Sequence, residues 1–209
     1  MSAATMPTSV LTRAERQAQT RARLVATARA LFLRDGFSNT SLDRVAEEAG
    51  FSKGAVYSNF RNKDELCLAV LDDIHAEQLA RIVDAFGSPH SFEERLAAFQ
   101  RWAEERLGEP RWTSLEVEFA TRARLSKYVS RELAQRNAAV RESLAGLIRE
   151  SAQSYDLHLQ MAPDDVATAL LSLGIGLGVA RANDPAVGVD VLTATIRILL
   201  GQTAGSTHA

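Results

Sequence analysis

Ser41-Leu42-Asp43-Arg44-Val45-Ala46-Glu47-Glu48-Ala49-Gly50-Phe51-Ser52-Lys53-Gly54-Ala55-Val56-Tyr57-Ser58-Asn59-Phe60 holds two short helical patterns with a turn between them. Leu42, Val45, Ala46 and Ala49 fall at i, i+3, i+4 and i+7, one face of a short helix. Ser41, or Thr40 before it, supplies an N-cap oxygen, and Asp43 places an acid in the first turn. Gly50 follows, the residue that accepts the left-handed backbone ending a helix. Phe51 lies in the turn and Ser52 caps a second segment, Lys53 to Asn59. That segment buries Val56, with Tyr57 either joining it or facing outward, and Phe60 closes the unit. Small Ala46 and Ala49 let the two helices approach closely. The pattern is a helix-turn-helix, whose second helix presents its amino end and free N–H groups outward, the geometry that enters a DNA major groove.

Working outward, Leu24, Val25, Ala28, Leu31 and Phe32 make one apolar face of a helix over Arg21 to Arg34. Gly36 supplies a left-handed stop, and Phe37 folds back on the core. On the other side Asn62 caps a helix opening Lys63-Asp64-Glu65, with Leu66, Val70, Leu71 and Ile74 inward, running to about Phe86. Gly87-Ser88-Pro89 marks a boundary. Helices are then expected over Phe92 to Leu107, Trp112 to Leu125, Ser130 to Tyr155, Pro163 to Arg181 and Val187 to Leu200. No stretch alternates with period two, so the expected class is all-α. The expected organisation is a loose tail at 1–12 and a three-helix DNA-binding head at 13–62. A connecting helix at 63–86 and a helical domain at 87–202 complete it.

Of 209 residues, 46% are hydrophobic and 24% charged, an ordinary globular balance. The net charge of −2 conceals an asymmetry: residues 1–64 carry ten Lys and Arg against six Asp and Glu, and residues 65–209 fourteen against twenty. A basic head on an acidic body is the footprint of local nucleic-acid contact. A single cysteine, Cys67, excludes an intrachain disulfide and argues for a reducing, cytoplasmic setting. The first eleven residues lack the basic start and apolar stretch of a signal peptide. The most apolar run, Val166 to Ala180, is short for a bilayer and reads as a buried helix. His75, His90, His158 and His208 are scattered, with no metal-ligand spacing. No nucleophile–base group, phosphate loop or acid pair stands at useful spacing, so neither an enzyme nor a cofactor is expected.

The stretch from Thr40 to Phe60, with Asn62-Lys63-Asp64-Glu65-Leu66 after it and Ala28-Arg29-Ala30-Leu31-Phe32 and Gly36-Phe37 before it, resembles the signature of the tetracycline-repressor (TetR) family. The resemblance covers roughly residues 20 to 75. Phe51 departs from it, standing where the family usually has Val or Ile. For matched positions the resemblance implies phosphate contacts from Ser41, Tyr57 and Lys63. It implies base reading from Ser52, Lys53, Gly54 and Ala55, with Ser58 and Asn59 on the same surface. Arg44 would add a base or phosphate contact, and Arg13, Arg16, Arg21 and Arg23 an N-terminal arm. The residues themselves allow a plainer reading: Arg44 and the N-terminal arginines on solvated faces.

The same resemblance implies a C-terminal domain that binds a small-molecule effector and dimerises through its last two helices. Dimer-interface candidates are Val166, Leu170, Leu173, Gly174 and Leu177 on one helix and Val189, Leu192, Ile196 and Leu199 on the next; ordinary core is the alternative. Effector candidates are Phe99, Trp102, Trp112, Leu115, Phe119 and Leu147 as apolar lining, with Glu116 and Arg122 as polar anchors. An aromatic stripe at helical spacing serves a core equally well. The implied protein is a homodimeric regulator, a repressor released from a palindromic operator by an apolar ligand, without membrane partners. A ligand-free activator and a helical carrier with a vestigial head are the alternatives.

Overall fold

The structure is a computed structural model that describes residues 12–87 and 91–201, the side chains of 85–87 aside. The expected loose ends at 1–11 and after Gly201, and the Ser88-Pro89 boundary, lie outside the described residues. Among the described residues there are nine helices and no strand. They are α1 (Arg13–Asp35), α2 (Leu42–Ala49), α3 (Lys53–Asn59), α4 (Lys63–Gly87), α5 (Phe92–Arg106), α6 (Pro110–Ala123), α7 (Lys127–Ser154), α8 (Pro163–Asn183) and α9 (Asp190–Leu199). The chain divides into two compact units, 1–70 and 71–209, and the division falls inside α4.

Local chemistry sets the boundaries in the first unit. Thr12 and Glu15 form a reciprocal capping box that starts α1 at Arg13, ahead of the expected start at Arg21. Ser41 Oγ accepts from the Arg44 N–H and starts α2; Ser52 Oγ does the same for the Ala55 N–H at α3. Gly50 ends α2 at φ 72°, ψ 31°, the left-handed conformation expected of it. Gly36 also has positive φ, 85°, but its ψ of 157° is extended. It therefore ends α1 by turning the chain sharply rather than by a left-handed helical cap. Phe37 then folds inward against Phe32, their rings 5.4 Å apart. Leu24, Leu31, Phe32, Phe37, Val45, Val56, Phe60 and Leu66 are sealed from solvent and form this core. Each such side chain contributes about 1.5–3 kcal/mol by burial.

The second unit is held by Phe92, Leu96, Phe99 and Ala103 of α5, Ala145 and Ile148 of α7, Val166, Ala167 and Leu177 of α8, and Leu192 and Ile196 of α9. Several helix starts differ from expectation. Helix α6 begins at Pro110, with Glu109 accepting from the Trp112 N–H, and α7 begins at Lys127, capped by Ser126. Helix α9 begins only at Asp190, because Val187 to Val189 are spent on a turn that buries Val189. Helix α8 is longer than its apolar run; its 21 residues are long and apolar enough to cross a membrane by length and composition. It nevertheless buries Val166, Ala167, Leu177 and Gly178 in the unit's own core.

Gly108 joins α5 to α6 at φ 83°, where a Cβ would stand 2.5 Å from Arg181 Cβ and 3.0 Å from the Gly178 carbonyl oxygen. The close approach lets Arg181 reach three carbonyls: Nε donates to Leu107 at 2.9 Å, one terminal nitrogen to Glu104 at 3.1 Å, and the other to Val187 at 2.5 Å. Two of these lie at the carboxyl end of α5, where carbonyls lack helical partners.

Candidate DNA-reading surface and effector cavity

Helix α3 is held by Val56, which is fully buried, so the opposite residues must face out. Ser52, Lys53, Gly54, Tyr57 and Ser58 are exposed, Tyr57 by 55% of its surface. Tyr57 therefore belongs to the outer face and not to the core. Ser41, Asp43, Arg44, Phe51, Ser52 and Lys53 share one shallow depression. Ser41 and Ser52 use hydroxyl lone pairs as caps, which leaves each O–H a donor. Ala55 and Asn59 are half-buried, and Asn59 Nδ2 donates back to the Ala55 carbonyl at 2.8 Å.

The cations of this surface have internal partners. Lys53 Nζ is 2.6 Å from Asp43 Oδ2, and that hydrogen bond holds its ammonium above the usual lysine range. Arg44 pairs with Asp35 at 3.0 Å; the Arg34 guanidinium hydrogen-bonded to the same carboxylate holds it below the usual range. Lys63 Nζ donates to the Phe37 carbonyl at 2.9 Å and the Ser38 carbonyl at 3.4 Å, and lies 4.3 Å from the centre of the Phe37 ring. Arg21, expected in an arm, instead donates to the Asn59 carbonyl at 2.9 Å and covers the Phe60 ring at 4.2 Å. Arg23 lies 5.7 Å from the Phe51 ring, a cation–π contact that the small aliphatic side chain usual there would not offer.

The second unit encloses a cavity of about 440 Å³ among α4 to α9. Phe99, Trp102, Trp112, Glu116 and Leu147 line it, as the sequence suggested. Leu115, Phe119 and Arg122 do not. Leu115 and Phe119 are sealed in the core, and Arg122 is on an exposed face of α6. The wall residues that were not anticipated include His75 and Gln78 from α4 and Asn137 from α7. Polar residues on long helices carry no periodic signal, so only the folded chain brings them to the apolar wall. His75 Nε2 and Glu116 Oε1 are 2.6 Å apart. Phe99 and Trp102 stack with centroids 5.4 Å apart and planes at 28°.

The residues expected at a dimer interface divide. Val166, Leu177, Val189, Leu192 and Ile196 are buried in the unit's own core, and Leu170, Leu173, Gly174 and Leu199 are half-buried. The faces of α8 and α9 left open instead carry Ile175, Val191 and Ile198, exposed by 61%, 50% and 59%. Five of the nine residues chosen by periodicity thus serve the unit's own core. Among the described residues no group of three or more His, Cys, Asp or Glu is placed to hold a metal ion.

Residues 24–70, spanning the second half of α1, α2, the turn, α3 and the start of α4, match the model of the TetR family of bacterial regulatory proteins. The transcriptional regulator TtgR of Pseudomonas putida is 41% identical over 69 residues, 32% of this chain. That match spans only 33% of the relative's length. The head of this chain is thus similar to the DNA-binding head of the TetR family. A longer match, at 25% identity over 176 residues, covers 81% of this chain and 89% of the transcriptional repressor Rv1474c of Mycobacterium tuberculosis. Reduced NemR of E. coli shares the fold at a TM-score of 0.70 and 20% identity, over 88% of this chain and all of that one. The TetR-type head and the helical domain after it thus make the expected all-α architecture.

Proposed function

We propose that this chain is a TetR-type regulator, a homodimeric repressor that releases a palindromic operator when a small, largely apolar molecule enters its cavity. The observation that carries the reading is the outward amino end of α3, with Ser52, Lys53 and Gly54 exposed beside Tyr57. Lysine can donate to guanine O6 or N7, Ala55 offers a methyl to thymine, and glycine lets the backbone come close. Ser41, Tyr57 and Lys63 would hold phosphates and set register without reading sequence. Arg44, Ser58 and Asn59 would lie at the edge of that contact.

Two heads must stand about 34 Å apart to read a near-palindrome. The apolar faces at Ile175 on α8 and at Val191 and Ile198 on α9 suit self-association, because such faces are costly to leave in water. An effector that binds the non-DNA conformer more tightly by a few kcal/mol would empty the operator. The operator is DNA in the cytoplasm, and neither an enzyme activity nor a membrane partner is invoked.

The test is protection of the DNA upstream of the chain's own gene by purified protein, with sedimentation to count subunits. A protected near-palindrome bound by a dimer is expected. A monomer with equal affinity for operator and scrambled duplex would refute the reading.

A further inference from the structure

The cavity's walls specify a ligand class. Most of the lining is Leu, Val, Ile, Phe and Trp, yet three of the residues that line it each carry a buried polar atom with no hydrogen-bond partner among the described residues: Nε1 of Trp102, Nε1 of Trp112 and Oε1 of Gln78. An indole N–H only donates, so whatever meets Trp102 and Trp112 must bring acceptor oxygens or nitrogens. Gln78 Oε1 only accepts, so its complement must bring a donor. A buried polar atom left unmet is costly, so a ligand that satisfies one gains roughly tenfold in affinity over one that does not.

Charge and shape narrow the class. Among the described residues, Glu116 is the only acidic one in the lining and already holds His75 at 2.6 Å; Arg141 is the only Lys or Arg, and it is exposed. An organic cation would have to compete with His75 for that carboxylate, and an anion would meet no buried cation. The stacked Phe99–Trp102 pair offers a flat wall suited to an aromatic ring. About 440 Å³ accommodates a molecule of two or three rings.

We propose that the cavity binds an uncharged hydroxylated aromatic molecule. A carbonyl or ether oxygen accepts from the Trp102 and Trp112 indoles, and a hydroxyl donates to Gln78. This rests on the reading of the second unit as effector-binding and adds the chemistry of the effector.

The full-length protein is titrated by calorimetry with 4-hydroxybenzophenone, benzophenone, diphenylmethane and tetraphenylphosphonium. Trp102 and Trp112 are the chain's two tryptophans, so quenching of indole emission locates the bound probe. Affinity is expected to fall roughly tenfold on removing the hydroxyl and roughly tenfold again on removing the carbonyl. In Gln78→Leu the hydroxyl's advantage disappears while benzophenone affinity is unchanged; in Trp112→Phe the carbonyl's advantage falls.

Equal affinity for diphenylmethane and 4-hydroxybenzophenone, a preference for the phosphonium, or no binding of any probe overturns the proposal. The four-probe series decides even where a variant fails to fold. Operator anisotropy separates this proposal from the reading beneath it. The expected affinity order without any change in DNA binding keeps the ligand class and removes the effector role. Release of DNA by a probe without that order does the reverse.

Discussion

Lys53 Nζ, at the first position of α3, lies 2.6 Å from Asp43 Oδ2 of α2. Both side chains are largely exposed, so the pair adds little to stability but neutralises a cation where duplex would approach. Asp43→Asn should raise affinity for any duplex by about three- to tenfold at low salt and narrow the ratio between operator and scrambled DNA. Anisotropy titrations on both duplexes at several salt concentrations measure this. Unchanged affinity would mean that Lys53 is not at the contact.

Lys63 has two roles to separate. Its ammonium already holds the Phe37 and Ser38 carbonyls, so Lys63→Met should cost about 1–3 kcal/mol of head stability. If it also neutralises a phosphate, all duplexes weaken alike and the slope of log K against log salt flattens by about one. Chemical denaturation reads the first effect and salt titration the second. A stability loss with an unaltered slope would assign Lys63 to the fold alone.

Arg181 should be the second unit's most sensitive surface-accessible position. Arg181→Met removes donors from the carbonyls of Glu104, Leu107 and Val187, at a cost of about 3 kcal/mol. The melting temperature should fall by roughly 6–12 °C in thermal denaturation. Lysine in its place should recover only a part, since an ammonium cannot fork to three carbonyls in fixed geometry.

Ile198→Asp places a charge on the open face of α9 without touching the core. The variant should sediment as a folded monomer and lose operator affinity by at least a hundredfold. A variant that remains dimeric would move the interface elsewhere.

Glu93 and Arg197 tie α5 to α9 by a side-chain ion pair, and the Arg197 hydrogen bond holds the Glu93 carboxyl below the usual range. An acid depressed in the folded state adds stability above its unfolded pKa and loses it as pH falls through its lower folded value. Arg197→Met should therefore melt lower than the native chain at pH 7, by about 1–2 °C for so exposed a pair. The difference should shrink as pH falls below the ordinary carboxylate range and vanish once it has passed the lower folded value of Glu93. Melting curves of both proteins from pH 3 to 7 provide the check.

The head was legible because its signals are local. Ser41, Gly50 and Ser52 fix the limits of α2 and α3 by caps that need no distant partner. The same logic missed the start of α6, where Pro110 opens the helix behind a Glu109 cap rather than a serine or threonine. The second unit was legible as helices but not as faces. Helix α8 is apolar nearly all round, so its sequence cannot tell core from open surface, and Ile175 went unnoticed beside Leu177. Gln78 was hidden for a related reason: one amide among the charges of α4 gains meaning only against the indoles of α5 and α6.

Cys67 is the chain's one cysteine, at the start of α4, and none of its surface is exposed. An alkylating reagent can meet that sulfur only while the head is open, so the labelling rate in native buffer counts openings. Each molecule gains a single mass increment, which makes the count a stopwatch for the head alone. A duplex that clamps the closed form must slow it in proportion to the fraction of protein left unbound, turning one buried thiol into a gauge of operator binding.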